Sequence, residues 1–289
     1  SYDSDQYIGE KIYAAPVQVL NGAQTSETGY LKEVVQIDAM GGTGHNDRNR
    51  FGTSLAVTES KEVYGWGNSL YGALGVKSSI VSKPVRVGTD ISNAVQVAGG
   101  GKSGSDDWHV NSIGNTGYTY ILKEDGTVSS LGYNVNGELG NGAHTSTTAV
   151  QEVSNLTEIM QVAGSKNGNF GAAVKEDGTV WTWGRNDGGQ LGNNNTSNKS
   201  LPVQVKGGAS GSEYLTDVVQ VTAGNWHSMA LKANGTVYAW GWGQYGQLGN
   251  GYTTNSYDSD QYIGEKIYSA PVQVLNGAQT SETGYLKEV

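Results

Sequence analysis

Four short stretches constrain the fold of this chain more than any other feature: GNSLYGALG from Gly67, GYNVNGELG from Gly132, GRNDGGQLG from Gly184 and GWGQYGQLG from Gly241. Each carries a Gly five residues on (Gly72, Gly137, Gly189, Gly246), a Leu at seven (Leu74, Leu139, Leu191, Leu248) and a Gly at eight (Gly75, Gly140, Gly192, Gly249). A motif that returns at domain-internal intervals marks one supersecondary unit used repeatedly.

Upstream of three of them lies a hairpin signal: LKEDGTVSSL (122–131), VKEDGTVWTW (174–183) and LKANGTVYAW (231–240). Asp-Gly or Asn-Gly between β-prone runs predicts a two-residue type I′ turn. The first repeat has VTESKEVYGW (57–66) and no Gly, which predicts a longer or different turn there.

Two more strand candidates precede each hairpin. One is PVQV (16–19), PVRV (84–87), AVQEV (149–153), PVQV (202–205) and PVQV (271–274); the other is VVQIDA (34–39), AVQVAG (94–99), IMQVAG (159–164) and VVQVTAG (218–224). From Pro16, Pro84, Ala149, Pro202 and Pro271 the spacings are 68, 65, 53 and 69. The expected division is therefore a preceding loop at 1–15, repeats at 16–83, 84–148, 149–201 and 202–270, and the start of a further repeat at 271–289. In TVWTW, Val180 faces one way and Trp181 and Trp183 the other. A sheet with two apolar faces must be covered on both, so the predicted fold is all-β: four four-stranded antiparallel blades stacked in propeller fashion, with partial blade segments at both ends.

The stretch VTAGNWHSMALKANGTVYAWGWGQYGQLGNG (221–251) resembles the repeat of the regulator of chromosome condensation family. The resemblance covers essentially the whole chain and implies a β-propeller. It implies that Trp66, Trp183 and Trp240, with Leu74, Leu139, Leu191 and Leu248, pack between neighbouring blades. The second repeat departs, with Leu131 in the Trp position and an insertion, GGGKSGSDDWHVNSIGNTG (99–117); the His227 position reads as Gly171 in the third repeat. The family's rings hold more blades than the four found here. Its members include an exchange factor for a small GTPase that binds chromatin and a bacterial inhibitor of β-lactamases.

Composition narrows the function. A net charge of −9 and the lack of a basic stripe argue against nucleic acid as a partner. No apolar run is long enough to insert in a membrane. With no Cys, disulfides, thiolate metal sites and Cys nucleophiles are excluded. Zero Cys with 44 Gly and 17 Tyr points to an extracellular or cell-surface bacterial protein of this family.

No catalytic or metal site emerges, and no cofactor is expected. His45, His109, His144 and His227 lack ligand spacing. YDSDQY (2–7, 257–262) and SGSDD (103–107) lack the Gly and bidentate Glu of a calcium loop. GGTGHNDRNR (41–50) and GGGKSGS (99–105) open no helix and read as connecting loops rather than phosphate cradles. Loop aromatics are candidate partner-binding anchors: Tyr71, Trp108, Trp226, Trp242 and Tyr245.

The chain ends carry the remaining clue. Residues 1–34 recur as 256–289, with 33 of 34 positions identical and Ala14 against Ser269 the one change. Two copies of one strand cannot fill one slot in a ring, and a surplus strand edge invites pairing with another chain. Either the chain is part of an array with a 255-residue period, or an end segment docks into a neighbouring copy. The expected function is non-enzymatic self-assembly into an extracellular filament or surface array. Tyr2, Tyr7, Ile8 and Tyr13, with Tyr257, Tyr262, Ile263 and Tyr268, are expected to line the junction. The alternative is a monomeric binding module that grips another protein through its loop aromatics.

Overall fold

The computed structural model describes residues 16–20, 29–43, 50–101, 116–208, 213–251 and 267–275, and of residues 42, 43, 50 and 51 the backbone alone. Among these, all regular structure is β. The first sheet comprises β1 (Val34–Thr43), β2 (Arg50–Thr58), β3 (Val63–Ser69) and β4 (Ser78–Val87). The second comprises β5 (Ala94–Gly100), β6 (Tyr118–Lys123), β7 (Val128–Gly132) and β8 (Thr147–Glu152). The third holds β9 (Ile159–Gly164), β10 (Phe170–Lys175), β11 (Val180–Gly184) and β12 (Lys199–Gln204); the fourth holds β13 (Val218–Ala223), β14 (His227–Lys232), β15 (Val237–Trp242) and β16 (Ile267–Gln273). Each sheet is a four-stranded antiparallel meander, as the repeats predict.

The blade frame is offset from the sequence frame by one strand. The Pro84, Ala149, Pro202 and Pro271 segments close sheets as fourth strands (β4, β8, β12, β16), and each blade opens on the strand that contains the recurring Gln. Pro is tolerated there because an edge strand has an N–H side that no ladder uses. The copy of this segment near the N-terminus, residues 16–19, forms no strand in its described part.

The core lies between sheets. Leu55, Leu74, Val97, Ile121 and Leu131 join the first sheet to the second. Tyr118, Tyr120, Leu139, Val162 and Trp183 join the second to the third, and Ala172, Val174, Val205, Val221 and Trp240 join the third to the fourth. At roughly 1.5–3 kcal/mol per large side chain taken from water, these interfaces carry most of the hydrophobic stabilisation. Single blades lack a second layer and depend on their neighbours.

The hairpins differ from expectation. In Lys123–Thr127 the Gly126 N–H donates to the Lys123 carbonyl and the Lys123 N–H to the Thr127 carbonyl, while only Gly126 has positive φ (73°). A type I′ turn needs two positive φ angles, so these are three-residue turns closed by a left-handed residue. Asp125, Asp177 and Asn234 serve as acceptors for the N–H and hydroxyl of Thr127, Thr179 and Thr236. These bonds to the charged form hold the Asp125 and Asp177 carboxyls below the usual range. The first repeat has a turn of the same length: Val57 pairs with Val63 as Leu122 pairs with Val128. Lys61 (φ 61°) takes the left-handed position itself.

Candidate binding face

The β3–β4, β7–β8, β11–β12 and β15 loops gather at one end of the sheets with the β9–β10 and β13–β14 turns. Two Asn residues lock the middle pair of loops. Asn186 accepts the Leu191 N–H (2.9 Å) and donates to the carbonyls of Asn195 (2.9 Å) and Ser197 (3.1 Å). Asn134 repeats this with Leu139, Ala143 and Thr145. Glu138 folds back within its loop, accepting from the Asn136 N–H and side-chain amide at 2.8 Å each. Its carboxyl is fully buried. Burial pushes its pKa up to about 7 against the opposing effect of those bonds and of Arg185. Beside it, burial and the Glu138 charge raise the Tyr133 phenol to about 12.

On the fourth blade the loops present aromatics. The Trp226 and Trp242 rings meet edge-to-face at 5.8 Å, and Tyr245 meets Trp242 at 6.0 Å. The close approach depends on Gly241 (φ 106°), where a Cβ would lie 2.4 Å from the Trp226 carbonyl. That carbonyl accepts the Trp242 N–H at 2.8 Å. From the third blade, the Arg185 guanidinium stacks over Trp226 at 4.2 Å while its Nε and Nη2 donate to the Asp187 carboxylate at 2.7–3.0 Å. Tyr245 is 63% exposed. Among the described residues the buried Trp242 Nε1 has no acceptor.

Of the five aromatics proposed from sequence, Trp226, Trp242 and Tyr245 therefore come together. Tyr71 is elsewhere, edge-on to Tyr133 at 5.0 Å across the first two blades. Trp108 lies outside the described residues, as do Tyr2, Tyr7, Ile8, Tyr13, Tyr257, Tyr262 and Ile263. Tyr268 is half-buried in β16 opposite Gly241, within a blade. Leu74, Leu139, Leu191, Leu248, Trp183 and Trp240 are buried, and the indoles of Trp183 and Trp240 donate at 2.9 Å to the carbonyls of Glu138 and Gln190 in the preceding blade. Trp66 is only half-buried. His227 is half-buried, and desolvation lowers its pKa. By register its counterpart in the third blade is Phe170, not Gly171, which corresponds to Ser228. No cluster of three or more potential metal ligands occurs among the described residues.

The site's most regular element went unassigned in the sequence. Gln36, Gln96 and Gln161 each use the side-chain amide as a mock peptide group against the next blade. Their Oε1 atoms accept the N–H of Val97 (2.9 Å), Val162 (3.0 Å) and Val221 (2.8 Å), and their Nε2 atoms donate to the same residues' carbonyls at 3.0–3.1 Å. The recurring Gln in VVQ, AVQ, IMQ and VVQ was the available signal.

The regulator of chromosome condensation (RCC1) repeat profile matches residues 61–103, 177–231 and 234–281, and a second RCC1 repeat profile matches 218–247. The chain belongs to the RCC1 repeat family. It is 32% identical over 203 residues to the human E3 ubiquitin-protein ligase HERC2, covering 70% of this chain and 4% of that protein. It is 32% identical over 205 residues to the ultraviolet-B receptor UVR8 of Arabidopsis thaliana, covering 68% of this chain and 41% of the receptor. The structure of yeast RCC1 (Prp20) bound to Kap60 superposes with a TM-score of 0.58 at 20% identity, over 85% of this chain and 49% of that one. The chain thus spans less than half of each of these proteins. They are eukaryotic, and the expected bacterial type finds no support in them.

Proposed function

We propose that this RCC1-repeat chain is a non-catalytic protein-binding module that uses the aromatic face of its fourth blade. The observation that carries the reading is the group formed by Trp226, Trp242 and Tyr245 with Arg185 stacked behind it. Trp, Tyr and Arg dominate the energetics of protein interfaces because each brings large area and a directed polar atom. Here Trp242 ends β15, and Arg185, Trp226 and Tyr245 stand in the turns beside it, held together by ring and cation–π contacts. A neighbour of the same fold was solved in complex with a protein, Kap60, which supports a protein as the partner class. The test is affinity capture with the wild-type chain beside Tyr245→Ala and Arg185→Ala, followed by calorimetry with the purified partner. Loss of about tenfold or more in affinity supports the face; unchanged binding by both variants assigns the partner to another surface. Self-association in a filament is the second reading, favoured by the near-identity of residues 1–34 and 256–289.

A further inference from the structure

The loops after β7 and β11 fold alike but are finished differently. In the second blade Asn136 closes the loop on Glu138, its N–H and side-chain amide meeting the two carboxyl oxygens at 2.8 Å each. The third blade has Gly188 and Gln190 in those places. The Gly188 N–H still finds Gln190 Oε1 at 2.9 Å, but Gly188 has no side chain to meet the other half of the amide. Gln190 is 0% exposed, and among the described residues its Nε2 has no acceptor. The bond from Gly188 fixes which way the amide points, so the unmet atom is a donor.

An unmet acceptor adjoins the same part of the fold. Asn167 stands in the β9–β10 turn, and its buried Oδ1 has no donor among the described residues. That turn is tied to the β13–β14 turn by the Ser165 hydroxyl, which donates to the Gly224 carbonyl at 2.6 Å. Gln190 adjoins the β13–β14 turn as well. Its carbonyl accepts from the Ser228 hydroxyl at 2.9 Å, and a Cβ on Gly188 would meet both Gln190 Oε1 (3.2 Å) and Trp226 Cε3 (3.0 Å). Both residues belong to the third blade, which packs against a described blade on each side. Buried donors and acceptors without partners are rare and costly, so this pair calls for a partner's polar groups.

We propose that the joint between the third and fourth blades receives an extended polypeptide segment, whose main-chain carbonyl accepts from Gln190 Nε2 and whose N–H donates to Asn167 Oδ1. This rests on the reading of this end of the sheets as a protein-binding face. One donor and one acceptor are what a peptide backbone answers. The fold already reads backbone in this way, since the amides of Gln36, Gln96 and Gln161 each pair with both main-chain groups of a Val. A carboxylate fits less well: it meets Gln190 but sets oxygen against Asn167 Oδ1, and burying its charge is expensive in a chain of net charge −9. A sugar needs an open ring to stack on, and Arg185 already covers a face of Trp226 at 4.2 Å. The two unmet atoms are shielded from solvent, so the segment inserts between the loops instead of lying on them. Trp226, half-buried beside Gln190, is the side chain that turns aside.

The experiment is nuclear magnetic resonance on the full chain, isotope-labelled at the Gln and Asn side-chain amides. It is titrated with a capped Gly-Ala tetrapeptide, which is uncharged and carries no functional side chain, and in parallel with acetate and with methyl glucoside. The tetrapeptide is expected to shift the Gln190 and Asn167 amide signals saturably, and the other two probes to leave them in place. Gly188→Asn gives Gln190 a partner within its own loop, as Asn136 serves Glu138, and is expected to weaken tetrapeptide binding at least tenfold. Asn167→Ala deletes the acceptor and is expected to weaken it roughly fivefold, read on the Gln190 signal. Circular dichroism checks folding; if Gly188→Asn does not fold, Asn167→Ala and the three probes decide. No shift with the tetrapeptide, equal shifts with acetate or methyl glucoside, or variants that bind like the wild type would overturn the proposal. Partner capture that depends on Tyr245 and Arg185 while the tetrapeptide leaves Gln190 unmoved keeps the face and removes this site. A saturable tetrapeptide response with capture unchanged in both variants keeps the site and removes the face.

Discussion

The Lys166 ammonium in the third blade contacts both oxygens of the Asp38 carboxylate in the first, at 2.6 and 2.5 Å. The same carboxylate accepts the Gly99 N–H of the second blade at 2.6 Å, and Lys166 also donates to the Gly99 carbonyl at 3.2 Å. One pair of side chains therefore links three consecutive blades, through β1, β5 and the turn after β9.

The two partners are expected to contribute unequally. Lys166 is largely exposed, and an exposed ion pair adds only ~0.2–1 kcal/mol. Removing Asp38 also strips the Gly99 N–H of its acceptor, at roughly 1–3 kcal/mol. Urea unfolding should show Asp38→Ala to be clearly the more destabilising, and added salt should narrow the gap only in part. Equal effects would mean that the Gly99 bond is replaced by water.

The Gln clasp makes a chemical prediction. Gln161→Ala deletes two hydrogen bonds at the third joint and should cost about 1–2 kcal/mol. Gln161→Glu preserves the acceptor for the Val221 N–H but opposes a carboxylate to the Val221 carbonyl. It should be worse than alanine at neutral pH and recover toward the wild type in acid, where a protonated carboxyl can donate. Guanidinium denaturation at two pH values checks the ordering.

Glu138 gives the stability curve a pH slope of known sign. Its folded pKa, about 7, lies above its ordinary value of 4.5, so the folded state holds the proton more tightly. Stability from this group is complete below the ordinary value and is lost as pH rises through the folded one. Glu138→Gln should remove that slope between about pH 4.5 and 7, and stabilise the chain above it by up to about 3 kcal/mol at 1.36 kcal/mol per unit. Gln190 and Gln247 show that Gln fits this turn, since each already accepts a loop N–H there. Thermal melts across that range, with and without the substitution, decide it.

The first hairpin carries strain the other three avoid. Lys61 adopts φ 61° where Gly126, Gly178 and Gly235 stand at 73°, 75° and 77°. A non-Gly residue in that conformation costs about 1–2 kcal/mol. Lys61→Gly should stabilise the chain by up to ~1 kcal/mol, because the gain is offset by the lost exposed pair with Glu124. A lower melting temperature for the Gly variant would show that the ion pair outweighs the strain.

Repeat spacing made the four blades legible, because the Gly, Leu and Trp positions answer to local turn geometry and interface packing. Phase was less legible. The Pro segments look like openings in sequence yet close each sheet, since hydrogen bonding across a turn leaves no mark on composition. The absence of Gly near Lys61 suggested a different turn, but turn length is set by strand register and the residue yields. The aromatic group was half visible: Trp226, Trp242 and Tyr245 stand out as loop aromatics, whereas Arg185 is supplied by a different blade. Gln36, Gln96, Gln161 and Gln220 were in view at one position of every inner strand, but a polar residue in a strand normally signals solvent. Only the three-dimensional neighbour reveals that its amide substitutes for a peptide.

Because the Gln clasp grips main chain, its hydrogen bonds make no demand on the side chain at the receiving site, which is Val at all three joints. Such a coupling works like a standard thread. A gene segment encoding whole blades can be duplicated, deleted or reordered, and the new boundary meets the old one without a compensating substitution. The near-identity of residues 1–34 and 256–289 fits such a duplication.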